Sequence, residues 1–100
     1  MSNIHNLTQL ICEKTQIDIN DLRSKCRKRK YTYIRYAIMH IAYEAGFVAK
    51  DIGIYLGNRD HSTILIGKAH INEVLINENY NAELLAKYRE CLEIYNENEL

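Results

Sequence analysis

The sequence predicts an all-α domain of about six helices, and three observations carry that prediction. Proline is absent and glycine occurs only four times in 100 residues, so little in the chain interrupts a helix. Apolar residues recur three and four apart over long stretches, the period of a helix with one buried face. No stretch alternates apolar and polar residues for long enough to make a strand. One hundred residues suit one compact domain with a single core. The balance of 47% hydrophobic to 26% charged residues is that of a folded soluble chain rather than a disordered one.

Taken in order, the first helix carries Leu7, Leu10, Ile11 and Lys14 on one face and ends near Gln16. Asp18 suits the N-cap of a short second helix, Ile19 to about Ser24. From Arg23 to Lys30 six of eight residues are basic, and no acid occurs between Asp21 and Glu44. That run is too charged to pack, which predicts a loop or a frayed helix start. A third helix is expected from about Tyr33 to Ala45, with Ile34, Ala37, Ile38, Ile41, Ala42 and Ala45 inward and Gly46 as its stop. The fourth spans Ala49 to Leu56, with Ile52, Tyr55 and Leu56 inward. Gly57-Asn58-Arg59 is a turn of residues that tolerate positive φ. Asp60 then caps a fifth helix running through Ile64, Gly67, Lys68, Ile71, Val74 and Leu75. Two helices joined by a three-residue turn containing glycine form a helix-turn-helix. After a polar hinge, Asn77 to Asn81, Leu84, Leu85, Tyr88, Leu92 and Tyr95 stripe a last helix on an acidic background. The expected organisation is a helix-turn-helix domain over residues 1–76, with residues 77–100 as hinge and acidic helix packing on or extending it.

The formal net charge is zero, but the charges are segregated. Residues 1–71 hold 11 basic and 6 acidic groups, whereas residues 72–100 hold 2 basic and 7 acidic groups. A body of net +5 joined to a tail of net −5 suggests a surface that meets a polyanion. The best apolar run, Tyr36 to Tyr43, is far short of a membrane span and is broken by His40. The N-terminus, Met1 to His5, lacks the basic start of a secretory signal. Cys12, Cys26 and Cys91 are odd in number and form no CxxC pair, which reads as reduced thiols in a cytosol. P-loop, GxGxxG and HExxH patterns are absent, so the expectation is a small cytosolic binding module with no cofactor, nucleotide or metal.

The informative stretch is Gly57-Asn58-Arg59-Asp60-His61-Ser62-Thr63-Ile64-Leu65. Four consecutive polar side chains open the second helix of the pair, which in such modules enters the DNA major groove. Asp accepts from the cytosine amino group, His donates or accepts, and Ser and Thr hydroxyls bond several bases. The free N–H groups of the helix start offer themselves to phosphate. The blander readings stand beside these. Asp60 caps the helix whatever else it does, and a basic run alone is as often a solvated surface as a groove reader. His5, His40 and His70 read as structural or surface residues. Cys12, Cys26, His40 and Cys91 lack metal-ligand spacing. Asp60, His61 and Ser62 match a triad in composition only, because neighbours on one helix turn point in different directions and cannot align for catalysis. The stripe on the last helix is its core-facing side; the sharper alternative is a dimer seam.

The stretch GNRDHSTIL resembles the signature of the C-terminal DNA-binding domain of the bacterial chromosomal replication initiator DnaA family. Asp21 to Arg29 resembles that family's basic loop, Arg35 matches a DNA-contacting arginine, and Asp51-Ile52-Gly53 matches its first helix-turn-helix element. The resemblance runs ungapped from about residue 8 to residue 75. It implies a Trp-repressor-like helix-turn-helix fold in which Arg27 enters the minor groove, Arg35 contacts backbone or base, and Asp60, His61, Ser62 and Thr63 read bases of a DnaA box. Ser62 stands where the family has Thr and lacks a methyl that could meet a thymine methyl, which relaxes specificity. Tyr36, Tyr43 and Ile66 also depart from the family. The initiator's ATPase and oligomerisation domains are not in this sequence, so the chain is expected to stand alone and not to melt an origin by itself.

The expected function is sequence-specific binding of double-stranded DNA at DnaA-box-like sites in replication initiation or its regulation, in the bacterial cytoplasm at the nucleoid. Lys25, Arg27, Lys28, Arg29 and Lys30 anchor the duplex, Arg35, Lys50 and Arg59 fix register on phosphates, and residues 60–63 read the major groove. The alternatives are a transcription regulator, or a module that keeps the fold and binds a protein partner or a second copy through its last helix.

Overall fold

Caps and chain reversals set the helix boundaries as firmly as the apolar period does. The computed structural model describes residues 4–98. It contains α1 (Ile4–Thr15), α2 (Ile19–Arg23), α3 (Arg29–Glu44), α4 (Ala49–Tyr55), α5 (His61–Ile76) and α6 (Ala82–Asn98). Residues 1–3, within the N-terminus read above as lacking a secretory start, lie outside the described residues.

At the end of α1 the Ile17 N–H donates to the Cys12 carbonyl at 3.0 Å and the Gln16 N–H to Glu13 at 3.3 Å, which holds Gln16 at φ 59°. This double reversal satisfies carbonyls that the helix leaves unpaired. The Asp18 carboxylate then accepts from the Asn20 N–H at 2.6 Å and starts α2. The end of α3 repeats the α1 arrangement. There the N–H groups of Phe47 and Gly46 donate to Ala42 and Tyr43 at 3.1 Å, and Gly46 takes φ 102°.

Helix α3 is the hub, packing against all five others. Its Ile34, Ala37, Ile38, Met39, Ile41 and Ala42 are buried, and they meet Leu7 and Ile11 of α1, Ile52 of α4, and Ile64, Ile71 and Val74 of α5. Helix α6 closes the core with Leu84, Leu85, Tyr88 and Cys91, while Leu92 and Tyr95 are half-buried at its edge. Asn81 caps it, its side-chain oxygen accepting from the Leu84 N–H at 3.0 Å, and its Nδ2 donates to the Tyr33 hydroxyl at 3.0 Å. Among the described residues no helix is long and apolar enough to cross a membrane.

One buried polar group ties α6 to the body. The Tyr88 hydroxyl donates to His40 Nδ1 at 3.0 Å, and His40 Nε2 donates to Asn72 Oδ1 at 3.1 Å. A single neutral tautomer satisfies both contacts. Burial is the main cause that holds the His40 pKa below its usual value. Burial also pushes the Cys12 and Cys91 thiols up, to about 11 and about 12, so both stay protonated.

Four expectations need correcting. Helix α3 starts at Arg29, not near Tyr33, so Arg29 and Lys30 form its first turn. Their charged ends need no packing, because Tyr31 and Ile34 carry the buried face while the cations stay in water. In α1 the core face is Ile4, Leu7, Thr8, Ile11 and Cys12, which leaves Lys14 exposed and Leu10 half-buried. Ala45, one residue past α3, is exposed. Tyr55 also faces outward, because the buried face of α4 is made by Ala49, Ile52 and Gly53.

Candidate nucleic-acid interface

The helix-turn-helix is built by close backbone approach. Gly57 at φ 92° and Asn58 at φ 62° reverse the chain between α4 and α5. The Arg59 N–H donates to the Gly53 carbonyl at 2.9 Å, and a side chain on Gly53 would collide with the Arg59 carbonyl. Similarly, a side chain on Gly57 would collide with the Arg23 carbonyl, so the turn rests directly on the loop between α2 and α3. Both glycines permit approaches that no larger residue allows.

Asp60 opens α5. Its Oδ1 accepts from the Thr63 N–H and from the Thr63 hydroxyl, each at 2.9 Å. These two bonds hold the Asp60 carboxyl below the usual carboxylate range. His61, Ser62 and Thr63 are exposed on the first turn, beside backbone N–H groups left free by the helix start. Thr63 borders a cleft of about 590 Å³ whose walls include Lys25 and Arg27 of the α2–α3 loop, Arg59 of the turn, and Thr32, Arg35, Tyr36 and Met39 of α3. His61 borders a second depression, of about 440 Å³, with Lys50, Tyr43 and Val48. The start of α5 therefore stands between two open concavities with cationic walls.

The residues singled out in the sequence divide into two groups here. Lys25, Arg27, Lys28 and Lys50 are exposed and, among the described residues, make no ion pair or side-chain hydrogen bond. Arg29 is instead held by Glu83 of α6, with Nη1 at 3.2 Å from both carboxylate oxygens, and Lys30 Nζ lies 5.0 Å over the Tyr31 ring. Arg35 departs furthest from expectation, being 5% exposed with its guanidinium turned inward. It donates to the carbonyls of Leu22 at 2.6 Å, Cys26 at 2.5 Å, Asp21 at 3.1 Å and Ser24 at 3.0 Å. Arg59 is half-buried and donates to the Leu56 carbonyl and, at 2.6 Å, to that of Ser24. Neither guanidinium is free to sit on a phosphate in this arrangement. The Asp21 carbonyl also accepts from the Ser24 N–H and hydroxyl, and the two guanidinium groups supply donors to the other carbonyls along the loop. Burial is the leading cause that lowers both arginine pKa values, though both remain charged.

Thr32, Tyr36 and Met39 are cleft residues that the sequence reading did not place there. Their spacing of four and three puts them on one face of α3, the signal that could have found them. Tyr36 also stacks on His70 of α5, with ring centroids 4.7 Å apart and planes 14° apart.

A family described as bacterial dnaA protein helix-turn-helix matches residues 4–71. Full-length relatives share the likeness, each a chromosomal replication initiator protein DnaA. That of Bacteroides thetaiotaomicron is 25% identical over 83 residues, covering 81% of this chain. That of Treponema pallidum (strain Nichols) is 29% identical over 83 residues, and that of Chlorobaculum tepidum 25% over 92. The chain spans 18–19% of the length of these relatives.

Proposed function

This chain belongs to the bacterial DnaA helix-turn-helix family, and on that premise we propose that it binds double-stranded DNA sequence-specifically at DnaA-box-like sites. The observation that carries the proposal is the cleft shared by Lys25 and Arg27 of the basic loop and Thr63 of the α5 start. One face thus offers exposed cations and, beside them, an exposed polar helix start. Arg27, at the rim, is the side chain for the minor groove, while Lys25, Lys28 and Lys50 meet phosphates and fix position. His61, Ser62 and Thr63 read major-groove edges, with the free Asp60 oxygen available to a cytosine amino group. Residues 1–76 are the reading unit, and α6 buttresses it from behind.

Replication initiation or its control, at the nucleoid of a bacterial cytoplasm, is the role this binding serves. Transcription regulation through the same sites is the second reading of the same chemistry. Capture of a protein partner or of a second copy through α6 ranks below both, because Leu84, Leu85, Tyr88 and Cys91 already face this chain's own core.

The test is fluorescence anisotropy of a DnaA-box duplex against a scrambled duplex at two salt concentrations. Preference for the box, lost in Arg27→Ala and His61→Ala, is the expected result. Equal affinity for both duplexes, in a chain whose circular dichroism shows it folded, would refute base reading.

A further inference from the structure

We infer that Arg35 and Arg59 are positioning residues: together they fix the minor-groove loop against the start of α5, without touching DNA themselves. The inference rests on the DNA-binding reading above for its effect on sequence preference, and on the structure alone for its effect on the loop.

The loop from Ser24 to Lys28 has almost no apolar anchor of its own, since every second residue or more is basic. Its placement therefore falls to hydrogen bonds. Arg35 reaches from the hub helix and ties four carbonyls that follow one another around the end of α2 and the loop. Arg59 reaches from the helix-turn-helix turn to the same strip of chain. Both guanidinium groups meet on the Ser24 carbonyl, Arg35 at 3.0 Å and Arg59 at 2.6 Å. The stitching is reciprocal, because Arg23 Nε donates back to the Tyr55 carbonyl at the end of α4, at 3.0 Å. Gly57, pressed on the Arg23 carbonyl, closes the seam.

Two groove readers on separate elements discriminate sequence only if their separation is fixed, since each must meet its own base pair in one register. Here Arg27 is on the loop and Thr63 on α5, 36 residues apart in sequence, and the pair of arginines bridges them. A guanidinium is needed for this task. It offers five N–H donors in a planar fork, and Arg35 uses Nε, Nη1 and Nη2 on four different residues. An ammonium carries the same charge but cannot span that fan. Lysine therefore separates positioning from phosphate contact: it preserves a point charge and destroys the fork.

The experiment uses the full chain with Arg35→Lys and Arg59→Lys, each titrated against box and scrambled duplexes over a salt series. Discrimination is expected to fall by about tenfold or more, while affinity for the scrambled duplex and the salt slope stay at wild-type values. A variant that keeps wild-type discrimination overturns the inference. So does Arg35→Ala or Arg59→Ala lowering affinity for both duplexes alike with a salt slope reduced by about one, the mark of a direct phosphate contact. A second measurement needs no DNA. Spin labels at positions 28 and 62, in a Cys26→Ser background with Cys12 and Cys91 buried, report the loop-to-helix distance. The distribution is expected to be narrow in the parent and broadened by either lysine variant; an unchanged distribution overturns the inference even where box preference is absent. Arg59, half-buried at the surface, keeps the test open in case Arg35→Lys does not fold.

Discussion

The salt dependence of DNA binding can be worked from the side-chain partners. Eight basic residues surround the proposed face: Lys25, Arg27, Lys28, Arg29, Lys30, Arg35, Lys50 and Arg59. If all eight met phosphates, log K would fall against log salt with a slope of about −7, at roughly 0.9 per contact. Arg35 and Arg59 are committed to backbone carbonyls, Arg29 is paired with Glu83, and Lys30 leans over Tyr31. Lys25, Lys28 and Lys50 remain for phosphates, with Arg27 in the minor groove, which gives a slope of about −2.7. Between 50 and 200 mM salt that is a loss of about 40-fold, against about 20,000-fold for eight contacts. Anisotropy titrations of one scrambled duplex at five salt concentrations separate these outcomes easily. A slope of about −6 or steeper would refute the reasoning. It would mean that DNA draws Arg35 and Arg59 off their carbonyls and that the buried fork is not a fixed feature of the fold.

Other perturbations follow from single contacts. Glu83→Ala should free Arg29 for DNA and steepen the salt slope by about one; an unchanged slope would mean the ion pair opens without cost on binding. Tyr88→Phe leaves buried His40 Nδ1 without a donor and should cost about 1–3 kcal/mol, read as a fall in Tm of about 4–8 °C per kcal/mol. The His40 pKa is lowered in the fold, so below the unfolded value of 6.5 the unfolded chain binds the extra proton. Stability present above that pH should therefore fall as the pH drops through it. Glu44, 3.7 Å from the ring, moderates the effect and Lys68 reinforces it. Urea midpoints at pH 7.5 and 5.5 should differ more in the wild-type chain than in His40→Gln, and equal differences would exclude His40 as the cause. Gln16→Gly should stabilise the chain by up to about 1 kcal/mol by relieving a left-handed non-glycine residue; a lower Tm would contradict that.

The sequence by itself determined what short-range chemistry determines. Six helices follow from apolar periods and from caps such as Asp18 and Asp60, whose N–H donors lie within three residues. The helix-turn-helix was legible because Gly57, Asn58 and Asp60 fall within four positions, each with its own conformational preference. The basic loop was legible as charge, yet the start of α3 inside it was not, since charged residues tolerate a helix surface and a loop equally.

Only the tertiary structure decided which charges are free. Arg29 meets Glu83 across 54 positions, His40 meets Tyr88 across 48, and Arg59 meets Ser24 across 35. An arginine has the same sequence signature whether its fork will meet phosphates or carbonyls. For Arg35 the choice was made by the path of another segment, which turns the carbonyls of Asp21, Leu22, Ser24 and Cys26 toward the hub helix. Hydrogen-bond partners are selected by proximity in space, and proximity between distant segments is a property of the packed core rather than of any window of the chain.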